Sequence, residues 1–162
     1  MSEQINSVAG QLVGIPIGQV YTAGKGIKID NVNKVVTVDE TVLYEDTNNN
    51  GVATCTLTEA ATNFEYLDFV VGYPGVANGL NFVRIPSSTP VLHFTYQAGN
   101  GATDYFARVY GNINGTAISI THCKMMYSQY SSTSTDTIRN DSANDMKCIY
   151  KVIGVHRIAG GN

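Results

Sequence analysis

The sequence predicts an all-β chain: an antiparallel β-sandwich or jelly-roll-like domain preceded by a short extended N-terminal segment. Three observations lead there. Only 14% of the residues are charged, well under the usual quarter. The polar surface is built instead from 16 Thr, 15 Asn and 10 Ser, which favour turns and strand edges over helix interiors. Apolar residues recur with a period of two along most of the chain, and Asn-Gly and Pro-Gly steps punctuate those runs.

A chain of 162 residues suits one domain with a short additional segment, and is long enough to bury a core without disulfides or metals. Residues 1–26 form the additional segment and 27–162 the β domain. In the first stretch Gly10, Gly14, Pro16 and Gly18 interrupt isolated aliphatics, so neither helical nor strand periodicity develops. An extended segment that packs on something else fits that pattern.

From Ile27 the period becomes two: Ile27 and Ile29 alternate with Lys28 and Asp30, Asn31–Asn33 turn the chain, and 34–38 form the next run. Thr41–Glu45 reads as a strand. Asp46-Thr47-Asn48-Asn49-Asn50-Gly51 then predicts a hairpin returning through 52–58, with Ala53, Cys55 and Leu57 inward and the threonines outward. Residues 59–65 are too few for more than a helical turn. Over 66–73, Leu67, Phe69, Val71 and Tyr73 share one face. Pro74-Gly75 closes that strand, and 80–85 and 91–96 follow, the latter with Leu92, Phe94 and Tyr96 inward. Asn114-Gly115 between 105–113 and 116–126 predicts a second hairpin with a type I′ turn. The tract 127–145 is polar apart from Ile138 and reads as one long loop. Residues 147–158 form a final β-branched strand. The total is nine or ten strands.

Composition narrows function. Net charge is −3 and no Lys/Arg cluster occurs along the chain, so nucleic acid is not an expected partner. No apolar run reaches the length that spans a bilayer, so membrane insertion is not expected either. No basic-then-apolar leader is visible at the N-terminus, which predicts synthesis in a cytoplasm. Cys55, Cys123 and Cys148 lack metal-ligand spacing and lie in apolar or alternating contexts, which predicts free buried thiols.

Candidate chemistry is sparse. Asp46, Asn48, Asn50 and Gly51 match the first half of a calcium loop, which needs oxygen ligands at alternate positions and a glycine turn. Leu57 stands where the bidentate Glu belongs, and asparagines at a hairpin tip account for the same residues. His93, His122 and His156 form no zinc-binding spacing. No Gly-x-Ser-x-Gly elbow or phosphate-cradling loop occurs, and the acidic pairs read as solvated faces. No enzymatic activity and no cofactor are expected. Tyr127, Tyr130 and Arg139 in the polar tract are the candidate ligand-binding residues. Tyrosine set among Ser and Thr offers an apolar face and a hydroxyl; local packing that holds the loop down is the competing explanation.

Three strings carry a resemblance. They are Gly24-x-Gly26-Ile27-x-Ile29-Asp30 with the following Val38-Asp39-Glu40-Thr41-Val42-Leu43-Tyr44-Glu45, then Asn63-Phe64-Glu65-Tyr66-Leu67-Asp68, and finally Tyr150-Lys151-Val152-Ile153-Gly154-Val155-His156-Arg157-Ile158. Together they resemble the head domains of bacteriophage tail-fibre and related virion-fibre, receptor-binding proteins. The resemblance implies a homotrimer with residues 1–26 as a stem that joins other virion proteins. It also implies a place on the virion and attachment to a bacterial surface, including host surface glycan. A structural head or collar fibre without receptor binding, or a monomeric carbohydrate-binding module, is the alternative. No receptor-binding motif transfers to particular residues.

Overall fold

A computed structural model describes residues 3–6, 12–16, 27–30, 32–33, 35–75, 80–100, 103–129, 137–140 and 142–158. Among them are thirteen strands and one short 3-10 helix, and every strand pairing is antiparallel. The chain is all-β, as its composition predicts. No helix among the described residues is long and apolar enough to cross a membrane.

The chain divides into two compact units, Met1–Val38 and Asp39–Asn162. In the first, β1 (Glu3–Asn6) pairs with β2 (Leu12–Pro16). The glycines and proline of this stretch hide a ladder that the sequence pattern does not announce. β3 (Ile27–Asp30) and β4 (Val35–Val38) form the expected hairpin. Asp30 organises its turn: Oδ1 accepts the Val32 and Asn33 amides at 2.9 and 3.0 Å. Oδ2 accepts Asn33 Nδ2 at 2.7 Å, and these bonds hold the Asp30 carboxyl below its usual pKa.

The second unit has two sheets. One has the order β5 (Glu40–Glu45), β13 (Ile149–Arg157), β7 (Phe64–Val71), β8 (Asn81–Pro86). The other runs β12 (Thr137–Asn140), β11 (Ala117–Gln129), β10 (Thr103–Asn114), β9 (Val91–Asn100), with β6 (Thr54–Thr56) also paired to β11. Both sheets supply one core. Leu43, Phe64, Leu67, Phe69, Val71 and Val152 come from the first, and Leu92, Phe94, Val109, Ile118, Cys123 and Met125 from the second. Phe69 on β7 stacks on Phe94 on β9 at 6.1 Å. Each fully buried side chain of this kind contributes about 1.5–3 kcal/mol. The three cysteines are free and buried.

Alternation works where the pattern is local. Leu92, Phe94 and Tyr96 are buried while His93, Thr95 and Gln97 are exposed; Cys55 and Leu57 are buried while Thr54, Thr56 and Thr58 are exposed. The helical turn expected over 59–65 is the 3-10 helix Ala61–Asn63.

Three expectations are corrected. First, β5 does not return through 52–58: it pairs with β13, while β6 pairs with β11 in the other sheet. The cause lies in the connecting loop. The buried Asp46 carboxylate accepts the amides of Asn48 (3.1 Å), Asn50 (2.9 Å) and Gly51 (2.8 Å). That closes a loop on itself and sends the chain across to the second sheet. Second, Asn114 pairs with Ala117, so the turn residues are Gly115 and Thr116 rather than Asn114 and Gly115. Gly115 alone has positive φ (59°) there, which meets the type II′ requirement of glycine at the first central position. Third, the polar tract 127–145 is not one loop. Tyr127 lies within β11, and β12 pairs with that strand through Ile138 opposite Met126.

Candidate functional site

The outward residues of β9–β12 form rows that run across the strands, with Asp104 opposite Ser128 at one end and Asn112 between Val91 and Ser119 at the other; three rows lie between them. The first is His93, Tyr110 and His122, one from each of three neighbouring strands. His93 lies flat on Tyr110 with ring centroids 4.5 Å apart and planes 7° from parallel. The second row is Thr95, Arg108, Lys124 and Asn140, all exposed. The third is Gln97, Phe106, Met126 and Ile138. In that row Phe106, Met126 and Ile138 are 40%, 39% and 56% exposed, a contiguous apolar strip left in water.

Thr95, Arg108 and Lys124 of the second row and all four residues of the third line a groove of about 620 Å³. Asn81 of β8 reaches its rim, where its side-chain amide donates to the Gln97 carbonyl. The rows exist because of one irregularity. The β10–β11 register shifts between Tyr110 and Gly111: Tyr110 pairs with His122, but Gly111 pairs with Ile120. Thr121 is the extra residue, and its hydroxyl donates to the Tyr110 carbonyl at 3.4 Å. Directly opposed residues share a face. Without the bulge, Phe106 and Arg108 would face Met125 and Cys123, both fully buried.

The described residues named from the sequence lie outside these three rows. Tyr127 is half-buried in a line of rings: it is tilted against Tyr105 at 6.3 Å, and Tyr105 stacks on Tyr73 at 3.9 Å. Packing thus engages its ring. Arg139 stands opposite Met125 in the β11–β12 register. Tyr130 lies outside the described residues. Asn48 and Asn50 are exposed at their loop, and the Asp46 carboxylate receives three backbone amides. Among the described residues no three His, Cys, Asp or Glu side chains are placed to hold a metal ion.

Comparison with protein-family models, curated proteins and solved structures finds no match. The chemistry of the site therefore rests on its own geometry. A sheet face with stacked rings, two cations and an apolar strip can bind a ligand with apolar faces and negative charge.

Sequence reasoning missed this face because its members are distant in sequence. The outward set of each strand was readable from alternation: Phe106, Arg108 and Tyr110 on one strand, His122, Lys124 and Met126 on the next. Bringing them into rows needed the register, which the bulge at Gly111 controls.

Proposed function

We propose that this chain is the β-sandwich head of a bacteriophage-type virion fibre, a homotrimer that attaches to a bacterial surface through several equivalent faces. The observation that carries the reading is the outer face of β9–β12, where rings, cations and apolar side chains stand in ordered rows on a sheet. Rigid elements hold such a site more precisely than loops do. Three copies on one trimer gain avidity without any single site being tight. The shared core of the two sheets is the packing expected of a sandwich.

The trimeric part of the proposal draws on the first unit. Its Ile27, Val32, Val35 and Val38 are 44%, 88%, 45% and 59% exposed, so one copy leaves its β-hairpin aliphatics in water. Threefold closure of this segment would cover them. In this reading residues 1–26 join the head to other virion proteins, no catalysis is involved, and no cofactor is needed.

Light scattering on a sizing column tests assembly: a trimer of 17.4 kDa chains has a mass of about 52 kDa. Binding of labelled protein to a panel of bacterial strains tests attachment. A trimer that binds no cell would leave a structural head or collar fibre. A 17.4 kDa monomer that still binds glycans would leave a lone carbohydrate-binding module.

A further inference from the structure

The two sheets of the second unit treat charge on their outer faces in opposite ways. On β5–β13–β7–β8, residues directly opposed in the register carry opposite charges. Lys151 faces Glu45 and closes an ion pair of 3.0 Å; Arg84 faces Asp68 and closes one of 2.6 Å. Arg157 is likewise clasped by Glu59 at 2.6 and 2.8 Å. On β9–β12 the directly opposed charged pair is Arg108 and Lys124, two cations, while Asp104, the acid on the same face of β10, stands opposite Ser128. Among the described residues neither has an acidic partner.

Like charges directly opposed on paired strands destabilise a sheet. Acids are not scarce, since the chain carries 13 Asp and Glu against 10 Lys and Arg. An anion seated between the two cations would turn the repulsion into two charge-assisted contacts. The adjoining row adds a second requirement. Phe106, Met126 and Ile138 lie beside the cations along the whole β10–β12 span, where strands repeat every ~4.8 Å. A pyranose ring is close to that repeat in length, and its C–H face matches a shallow apolar strip. An acyl chain would need enclosure, which an open groove does not provide.

From this juxtaposition, and resting on the attachment reading above, we infer that the outer face of β9–β12 binds an acidic polysaccharide. Its carboxylates sit between Arg108 and Lys124, and the C–H faces of its rings lie on Phe106, Met126 and Ile138. His93 and Tyr110 bound the site on the far side of the cation row.

The test is affinity electrophoresis of the full chain through gels holding polygalacturonate, alginate or hyaluronate. Methyl-esterified polygalacturonate serves as the neutral counterpart and polyphosphate as a polyanion without sugar. The expected result is retardation by at least one acidic glycan, none by the ester, and weaker retardation by polyphosphate. Arg108→Ser with Lys124→Ser should weaken glycan binding at least tenfold while Tm stays level or rises, because the like-charge opposition is gone. Phe106→Ser should weaken glycan binding several-fold and leave polyphosphate unaffected; Lys147→Ser should change neither. Absence of acidic-glycan binding, equal binding to the ester, or equal polyphosphate binding with no effect of Phe106→Ser would each overturn the inference. Cell binding separates it from the reading beneath it. If the double variant still binds cells as the native chain does, the face is wrong and attachment stands. If native protein binds acidic glycan but no cells, the face stands and attachment falls.

Discussion

Gly111 on β10 lies so close to the Ser119 carbonyl on β11 that a Cβ at position 111 would overlap that oxygen and press on Ile120 Cα at 3.2 Å. The contact sits at the bulge that sets the register of the whole outer face. Gly111→Ala is therefore expected to force the strands apart locally, at a cost of about 1–3 kcal/mol. For a chain of this size that corresponds to a Tm lower by roughly 2–12 °C. Thermal unfolding measures it, and an unchanged Tm would show that the bulge relaxes freely.

Asp46 closes its loop with three backbone amides. Asp46→Ala strands those donors, the Gly51 amide among buried atoms, and should lower stability by about 1–3 kcal/mol in urea titration. Excess EDTA should leave the native Tm unchanged, since the carboxylate oxygens already serve the backbone. A chelator-induced drop would restore the calcium reading of Asp46, Asn48 and Asn50.

Glu59 forms a two-pronged ion pair with Arg157, whose guanidinium also lies over the Phe64 ring at 4.7 Å. The Arg157 hydrogen bonds hold the Glu59 carboxyl below its ordinary 4.5. A depressed folded pKa means that the unfolded chain binds the proton first. The pair's stabilisation is thus present above about pH 4.5 and disappears as pH falls through the lower folded value. Glu59→Gln should flatten that part of the acid limb of a Tm-versus-pH curve; an identical limb in the variant would remove the pair from the account.

Two buried tyrosines should respond oppositely to loss of the hydroxyl. Tyr150 donates to the Tyr73 carbonyl at 2.6 Å, so Tyr150→Phe should cost about 0.5–1.5 kcal/mol. Tyr96 is 5% exposed, and among the described residues its hydroxyl has no hydrogen-bond partner. Tyr96→Phe should be neutral or stabilising, because the unpaired group carries only a desolvation penalty. A large loss in urea titration at position 96 would contradict this.

Local patterns were legible and distant pairings were not. Leu92, Phe94 and Tyr96 announce their inward face because side chains alternate with the backbone pleat. The hairpin after Asn114 was legible as a turn, although glycine's freedom placed Gly115 one position earlier within it. The fate of Thr41–Glu45 was hidden. Asn50-Gly51 argues for a local return, whereas the partner, β13, lies near the other end of the chain. Tyr127 reads as part of a polar string, yet it lies in β11 with its ring tilted against Tyr105, which in turn stacks on Tyr73.

The amino-acid sequence alone determined the all-β class, the free buried thiols and most inward-facing sets. Composition and period two act within a few residues, so they are readable without knowing any partner. Tertiary structure decided which strands share a sheet, where the Asp46 loop sends the chain, and that Arg108 meets Lys124 beside Phe106, Met126 and Ile138. Those outcomes depend on register, and one extra residue at Thr121 changes which side chains stand together on a face.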